Sequence, residues 1–200
     1  EHFARITQRL TATLEDQTDE GMAWRVDLRL RPEGSRGPLV NWLRRSAGCV
    51  TCSEYFEGVP LGSTVKGVQC QDVQQLTYAS ASFDLCTSTE VFEHVPDDLR
   101  GFAELHRVLR PGGRLVFSVP MSSAARTVER AVLNGGEIHY LLPPEYHGDR
   151  IRGQGRVLAY RNYGLDILDR VSSQGFRDVR FVQPTHQIGR WVQPIIVATA

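Results

Sequence analysis

Lysine is almost absent: Lys66 is the single one, so the other basic residues among the 23 Lys and Arg are all arginine, which we read as genome composition. Net charge is missing as well, with 23 acidic side chains against 23 basic ones. That balance excludes a surface that holds nucleic acid or a membrane by bulk electrostatics. No apolar run approaches the roughly 20 residues of a spanning helix, and the start carries no leader pattern. The expectation is a soluble, cytoplasmic protein, with something upstream lost, since the chain starts at Glu1 rather than methionine. Repeats, low-complexity tracts and a full G-x-G-x-x-G are absent too. Of four cysteines, Cys49 and Cys52 have C-x-x-C spacing, but they fall in a strand pattern, where residues three apart point to opposite faces. No second pair or paired histidines follow at zinc spacing, so ordinary buried thiols in a reducing compartment are expected and no metal is assigned.

What is present is organised around residues 79–120, ASASFDLCTSTEVFEHVPDDLRGFAELHRVLRPGGRLVFSVP. Residues 83–88 read as a buried strand. Asp97 and Asp98 stand where a helix should begin, their charge favoured at its positive end. Phe102, Leu105, Val108 and Leu109 then follow at helical spacing. Pro111-Gly112-Gly113 is expected to stop this helix, and 114–119 to form a second buried strand. Strand, helix and strand with short joints make a right-handed parallel crossover. At 200 residues one α/β domain with a sizeable core is the default.

That unit resembles the middle of the class I S-adenosylmethionine-dependent methyltransferases, through FDLCTSTEVFEHVPDD, ELHRVLRPGG and RLVFSVP. With its flanks the resemblance covers residues 41–200. It implies a Rossmann-like, mostly parallel sheet with a C-terminal antiparallel hairpin, S-adenosylmethionine as cofactor and a small-molecule acceptor, with neither nucleic acid nor membrane as partner. The acceptor would attack the cofactor's methyl carbon by direct displacement.

Residues 1–40 hold a different pattern. Phe3, Ile6, Leu10 and Leu14 mark an amphipathic helix, 23–30 alternates as a strand, and 32–37 is a loop. From EHFARITQRL to VDLRLRPEGSRGPLV this piece resembles glutamine synthetase adenylyltransferase. There the aspartate matching Asp27 holds magnesium for nucleotidyl transfer. Here the other acidic pair of that site is not in the chain, so a solvated or ion-paired Asp27 competes with magnesium binding.

The borrowed segment occupies the place of the first strand, glycine-rich loop and first helix of a methyltransferase, so that unit is atypical or replaced. Gly34 and Gly37 would let the backbone approach the cofactor, or would simply serve a surface turn. Pro38 to Ala47, with Leu39, Trp42 and Leu43 on one face, would be the helix. Strand 50–53 leads to Glu54, a ribose-hydroxyl acceptor or an exposed loop residue. A polar, turn-rich stretch at 58–67 replaces or shortens the usual helix. Strand 68–71 ends at Asp72, which by resemblance accepts the adenine amino group while the Val73 amide meets a ring nitrogen. Its rival role is a helix N-cap, with Gln75 three residues on. Ser88, Thr89 and Glu90 would border the sulfonium end, and Glu93-His94 the floor, His94 acting on a proton or making a structural hydrogen bond.

Residues 122–133 suggest a helix ended by Asn134-Gly135-Gly136. An irregular stretch at 138–149 then offers His139, Glu145, His147 and Asp149 to orient or deprotonate the acceptor, unless Pro143-Pro144 merely stiffens a lid. A helix at 163–173 closed by Gly175, and strands at 178–182 and 195–199, complete the scaffold. Three functions stand open: a methyltransferase, a fragment of an adenylyltransferase, and a catalytically silent fusion product.

Overall fold

The computed structural model describes residues 40–148, 156–182 and 194–200, together with the backbone of 25–29 and of 38–39. An eight-stranded sheet forms the middle of the fold. Its strands are β1 (Arg25–Arg29), β2 (Cys49–Glu54), β3 (Thr64–Val65), β4 (Val68–Cys70), β5 (Phe83–Thr89), β6 (Leu109–Ser118), β13 (Arg177–Val182) and β14 (Ile195–Thr199). They lie in the order β13-β14-β6-β5-β1-β2-β4-β3. The run β4-β2-β1-β5-β6 is parallel, and β3 and β14 pair antiparallel to their neighbours at its two sides. The antiparallel hairpin expected at the end of the chain is β13 with β14.

Alternation along the central strands sorts the core into two layers. Leu85, Val116 and Val197 face helix α1 (Pro38–Ser46), which buries Val40 and Leu43 against them. Cys86, Leu115, Phe117, Ile196 and Ala198 face α2 (Asp98–Val108) and α3 (Ile167–Ser172). Two-sided burial is why β5 and the end of β6 are buried at nearly every position rather than at alternate ones.

Helix α2 begins where the paired aspartates predict, with the Asp97 carboxylate accepting the Arg100 amide at 3.0 Å. It ends at Val108, before the proline, because the residue preceding a proline is pushed out of helical geometry. The Pro-Gly-Gly triplet is therefore inside β6, not between helix and strand. Gly112 takes a φ of +81° there and donates to the Ala200 carbonyl at 2.9 Å, and the register against β5 shifts by a bulge.

Three expectations need correction. Residues 122–133 form no helix; they contain β7 (Val128–Glu129) and the start of β8 (Ala131–Asn134), which pairs with β9 (Glu137–Tyr140). Asn-Gly-Gly suits a helix end and a two-residue hairpin equally in sequence. The hairpin won: Gly135 and Gly136 have φ of +58° and +86°, the pair of positive values a primed turn requires. The stretch at 138–149 is correspondingly less irregular, since Glu145–His147 is β10, paired with β11 (Val157–Ala159). The last helix starts at Ile167 rather than 163, because the chain through β12 (Arg161–Asn162), Tyr163 and Gly164 packs directly against other backbone.

Candidate active site

Register fixes what stands on the carboxyl rim of the sheet. Arg29 pairs with both Ser53 and Ser88, so Glu54 and Thr89 lie one step further out at a common level, where Thr89 pairs with Ser118. Glu54 also pairs with Cys70, which puts Asp72 just beyond the end of β4. The strand order reverses at β1, since β2 follows it on one side and β5 lies on the other, and ligands of open α/β sheets collect at such a switch point.

The rim carries features that a buried strand end does not need. Among the described residues, the hydroxyls of Thr87, Ser88 and Thr89 are buried with no hydrogen-bond partner. Such groups are costly unless something satisfies them. Glu90, also buried, sits at φ +52° and accepts from the Ser118 hydroxyl at 3.2 Å. A non-glycine residue held in the left-handed region next to a ligand crevice is a strained position of the kind that marks functional sites.

Asp72 is no helix N-cap. Its Oδ1 accepts the Gln74 amide at 2.8 Å and the Gln74 side chain at 3.1 Å, making an Asx turn that orients the carboxylate. Val73 beside it is buried against the α2 layer. Gly34, Gly37 and Asp149 lie outside the described residues, as does the side chain of Asp27.

Above the rim, a short helical turn at Phe92–His94 faces the inserted strands. Phe92 anchors it, stacked on Phe102 with ring centroids 4.1 Å apart and in contact with Phe117. Arg161 ties the turn's carbonyls together, donating to Phe92, Val95 and Pro96 at 3.1, 2.6 and 2.6 Å. Its charge is balanced by Glu129 at 3.0 Å and Asp98 at 3.8 Å. Asp98 in turn takes Arg170 in a bidentate pair and the Tyr163 hydroxyl at 2.9 Å. Burial and the neighbouring Asp98 charge push the Tyr163 hydroxyl well above its ordinary range.

This clamp presents Glu93 and His94 to β10 and β11. The Tyr160 amide donates to the Glu93 carbonyl at 2.8 Å, and His94 Nδ1 meets the Leu158 carbonyl at 2.8 Å. His147 Nδ1 stands 3.7 Å from Glu93 Oε1, and its Nε2 lies 3.3 Å from Glu145. His94 and His147 contact edge to face, with centroids 4.9 Å apart. Glu93 beside it raises the His147 pKa, against a lowering by burial and with further help from Glu145. Burial pushes Glu145 up, but hydrogen bonds from Asn162 and His147 and the Arg130 charge outweigh it and hold the carboxyl below its usual range.

Of the sequence-predicted acceptor-side residues, His147 and Glu145 are brought together with His94. His139 is on β9, exposed and paired with Val132, and is not in this group. Sequence reading missed that Glu93 faces His147 across 54 positions, and it missed Arg161 altogether. Neither has a local signal, since the juxtaposition is made by the insert folding back.

Comparison with known proteins agrees with the topology. Residues 37–117 match the family model of the methyltransferase domain, and residues 1–47 match that of glutamate-ammonia ligase adenylyltransferase, so α1 belongs to both matches. A ubiquinone biosynthesis O-methyltransferase of Coxiella burnetii is 44% identical over 50 residues, 25% of this chain and 21% of that protein. A bifunctional glutamine synthetase adenylyltransferase/adenylyl-removing enzyme of Nitrosococcus oceani is 52% identical over 40 residues, 20% of this chain and 4% of that one. The chain thus spans a small part of either relative. The crystal structure of an S-adenosylmethionine dependent methyltransferase from Mesorhizobium loti superposes with a TM-score of 0.57 at 19% identity, covering 94% of this chain and 96% of that one. No described helix is long and apolar enough to cross a membrane.

Proposed function

We propose, from a fold and a central sequence segment that are those of an S-adenosylmethionine-dependent methyltransferase domain, that the chain transfers a methyl group to a small-molecule acceptor. The observation that carries this reading is the rim itself: three buried hydroxyls without partners among the described residues and a strained, buried Glu90 at the switch point, flanked by Glu54 and Asp72. These groups fit a nucleoside-bearing cofactor, because a carboxylate at Glu54 can take both ribose hydroxyls and one at Asp72 an exocyclic amine.

When bound, S-adenosylmethionine supplies an electrophilic methyl carbon on a positively charged sulfur. Glu54 and Asp72 with the Val73 amide hold the nucleoside, while Ser88, Thr89 and Glu90 border the reacting end. His94, His147 and Glu145 meet the acceptor from the insert side, orient its heteroatom and keep bulk water out. A small-molecule acceptor in a cytoplasmic setting is the reading of substrate and location that accompanies this. The segment at 1–40 contributes β1 to the sheet and no nucleotidyl chemistry.

Calorimetric titration with S-adenosylhomocysteine tests the proposal. Saturable binding is expected, weakened at least tenfold by Glu54→Gln and by Asp72→Asn, the latter keeping the Asx turn while removing the charge. A folded chain that holds neither S-adenosylmethionine nor S-adenosylhomocysteine at millimolar concentration would overturn it in favour of a silent fusion product.

A further inference from the structure

Glu93, His94 and His147 bring one carboxylate and two imidazole nitrogens within 4.8 Å of one another. Resting on the acceptor-side reading above, we propose that these three residues bind a divalent first-row transition ion that holds and polarises an acceptor hydroxyl.

The placement of the ring nitrogens argues for it. A backbone carbonyl can only accept, so His94 Nδ1, 2.8 Å from the Leu158 carbonyl, carries its hydrogen, and a neutral ring then points the Nε2 lone pair at Glu93 Oε1, 3.4 Å away. His147 places Nε2 3.3 Å from Glu145 and Nδ1 3.7 Å from Glu93 Oε1, so in the neutral ring with its hydrogen on Nε2 the Nδ1 lone pair faces the same oxygen. In those tautomers two ring nitrogens and a carboxylate face one spot, an arrangement that a divalent cation can take as three ligands. Metal-binding histidines are held in this way, the far nitrogen donating to a carbonyl or carboxylate that fixes tautomer and orientation.

Spacing and surroundings agree. Donors about 2 Å from a tetrahedral ion are roughly 3.3 Å apart, and Glu93 Oε1 lies 3.4 Å from His94 and 3.7 Å from His147. Glu93 is 1% exposed, while His147 is 27% exposed, so the group has a dry floor and one open side. Two imidazoles favour zinc, iron, cobalt or nickel over magnesium or calcium, and three protein ligands leave a position for a ligand from outside.

On that open side, an acceptor hydroxyl would lose its proton to water as its oxygen bonds to the methyl carbon. The carbon–sulfur bond breaks, its electron pair stays on sulfur, and S-adenosylhomocysteine leaves. The rival occupant of the gap is a second proton on His147, paired with Glu93.

The test is titration of the chelator-treated full chain with Co2+, read by visible absorption, and with Zn2+, read by calorimetry. One ion per chain is expected, with His147→Ala and Glu93→Gln weakening binding roughly a hundredfold and Glu145→Gln about tenfold, in the range seen when outer partners of metal ligands are removed. S-adenosylhomocysteine titration of the same variants runs beside it, so loss of the metal is separable from loss of the cofactor site. No saturable binding at millimolar metal, or equal affinity in wild type and His147→Ala, would overturn the proposal and leave the proton as occupant.

Discussion

Arg161 shows how much one side chain settles at this site. A guanidinium that is 4% exposed must be satisfied completely, and here it donates to three carbonyls of the turn that carries Glu93 and His94. Replacing it with methionine keeps the volume and strands those carbonyls beside the charges of Asp98 and Glu129. Losing one partner of a buried ionic group costs about 3–5 kcal/mol, and urea denaturation should read that loss. Glu104 is a milder case at the surface of the fold. Its carboxylate accepts the Leu76 amide at 2.8 Å and both Arg107 nitrogens at 2.7 and 2.9 Å, while Arg107 also holds the Tyr78 carbonyl. The Arg107 hydrogen bond, against some burial, depresses the Glu104 pKa. A depressed carboxyl stabilises the fold above its unfolded pKa, and that contribution disappears as pH falls through the lower folded value. Melting temperature against pH should therefore fall less steeply on the acid side in Glu104→Gln than in the parent, with the two curves meeting at the acid end.

At the scale of elements, what was legible in the sequence follows from how local the determinants are. The strand and helix pattern at 83–118 appears because apolar periodicity, the aspartate cap and a proline act within a few residues. The insert resisted reading because Asn134-Gly135-Gly136 encodes positive φ without saying what precedes it, and because β10 finds its partner β11 only after a further excursion of chain. The rim residues Glu54, Asp72 and Ser88 to Glu90 could be proposed from strand ends together with the family resemblance; the grouping of Glu93, His94 and His147 could not, since no spacing links residues 54 apart. Gly101 tests how tightly the elements meet. A Cβ there would lie 3.0 Å from Phe92 and 3.3 Å from Val73, and Phe92 is wedged between Phe102 and Phe117. Alanine gains about 1 kcal/mol of helix propensity, whereas overpacking a filled core costs about 1–3 kcal/mol. Gly101→Ala should thus be destabilised by about 1 kcal/mol net. It should also weaken ligand binding through the displaced turn, which Co2+ or S-adenosylhomocysteine titration would register.

For the whole molecule, the decisive fact is where β1 lies. A strand from the adenylyltransferase-like segment pairs over five positions with β2 and over four with β5. It is a central strand, so the parallel sheet closes through it, and α1 then covers the sheet face formed by Leu85, Val116 and Val197. Without it, β2 and β5 would each present an unpaired backbone edge in the middle of the core. Buried amides without partners cost about 1–3 kcal/mol each, and losing several along the five positions of β2 and four of β5 is comparable with the roughly 5–15 kcal/mol that hold a domain together. A chain trimmed to residues 38–200 should consequently show no cooperative thermal transition and no cofactor binding, although it keeps most of the region matched by the methyltransferase model. Asp27→Asn in the full chain separates structure from inherited chemistry. If the segment serves only as a strand, the variant melts with the parent and binds S-adenosylhomocysteine equally well. If instead it retained nucleotidyl transfer, label from ATP would reach a glutamine synthetase-like protein with the parent chain and vanish with the variant. A trimmed chain that still unfolds cooperatively would mean that β2 and β5 can close on each other, and the borrowed strand would lose its structural role.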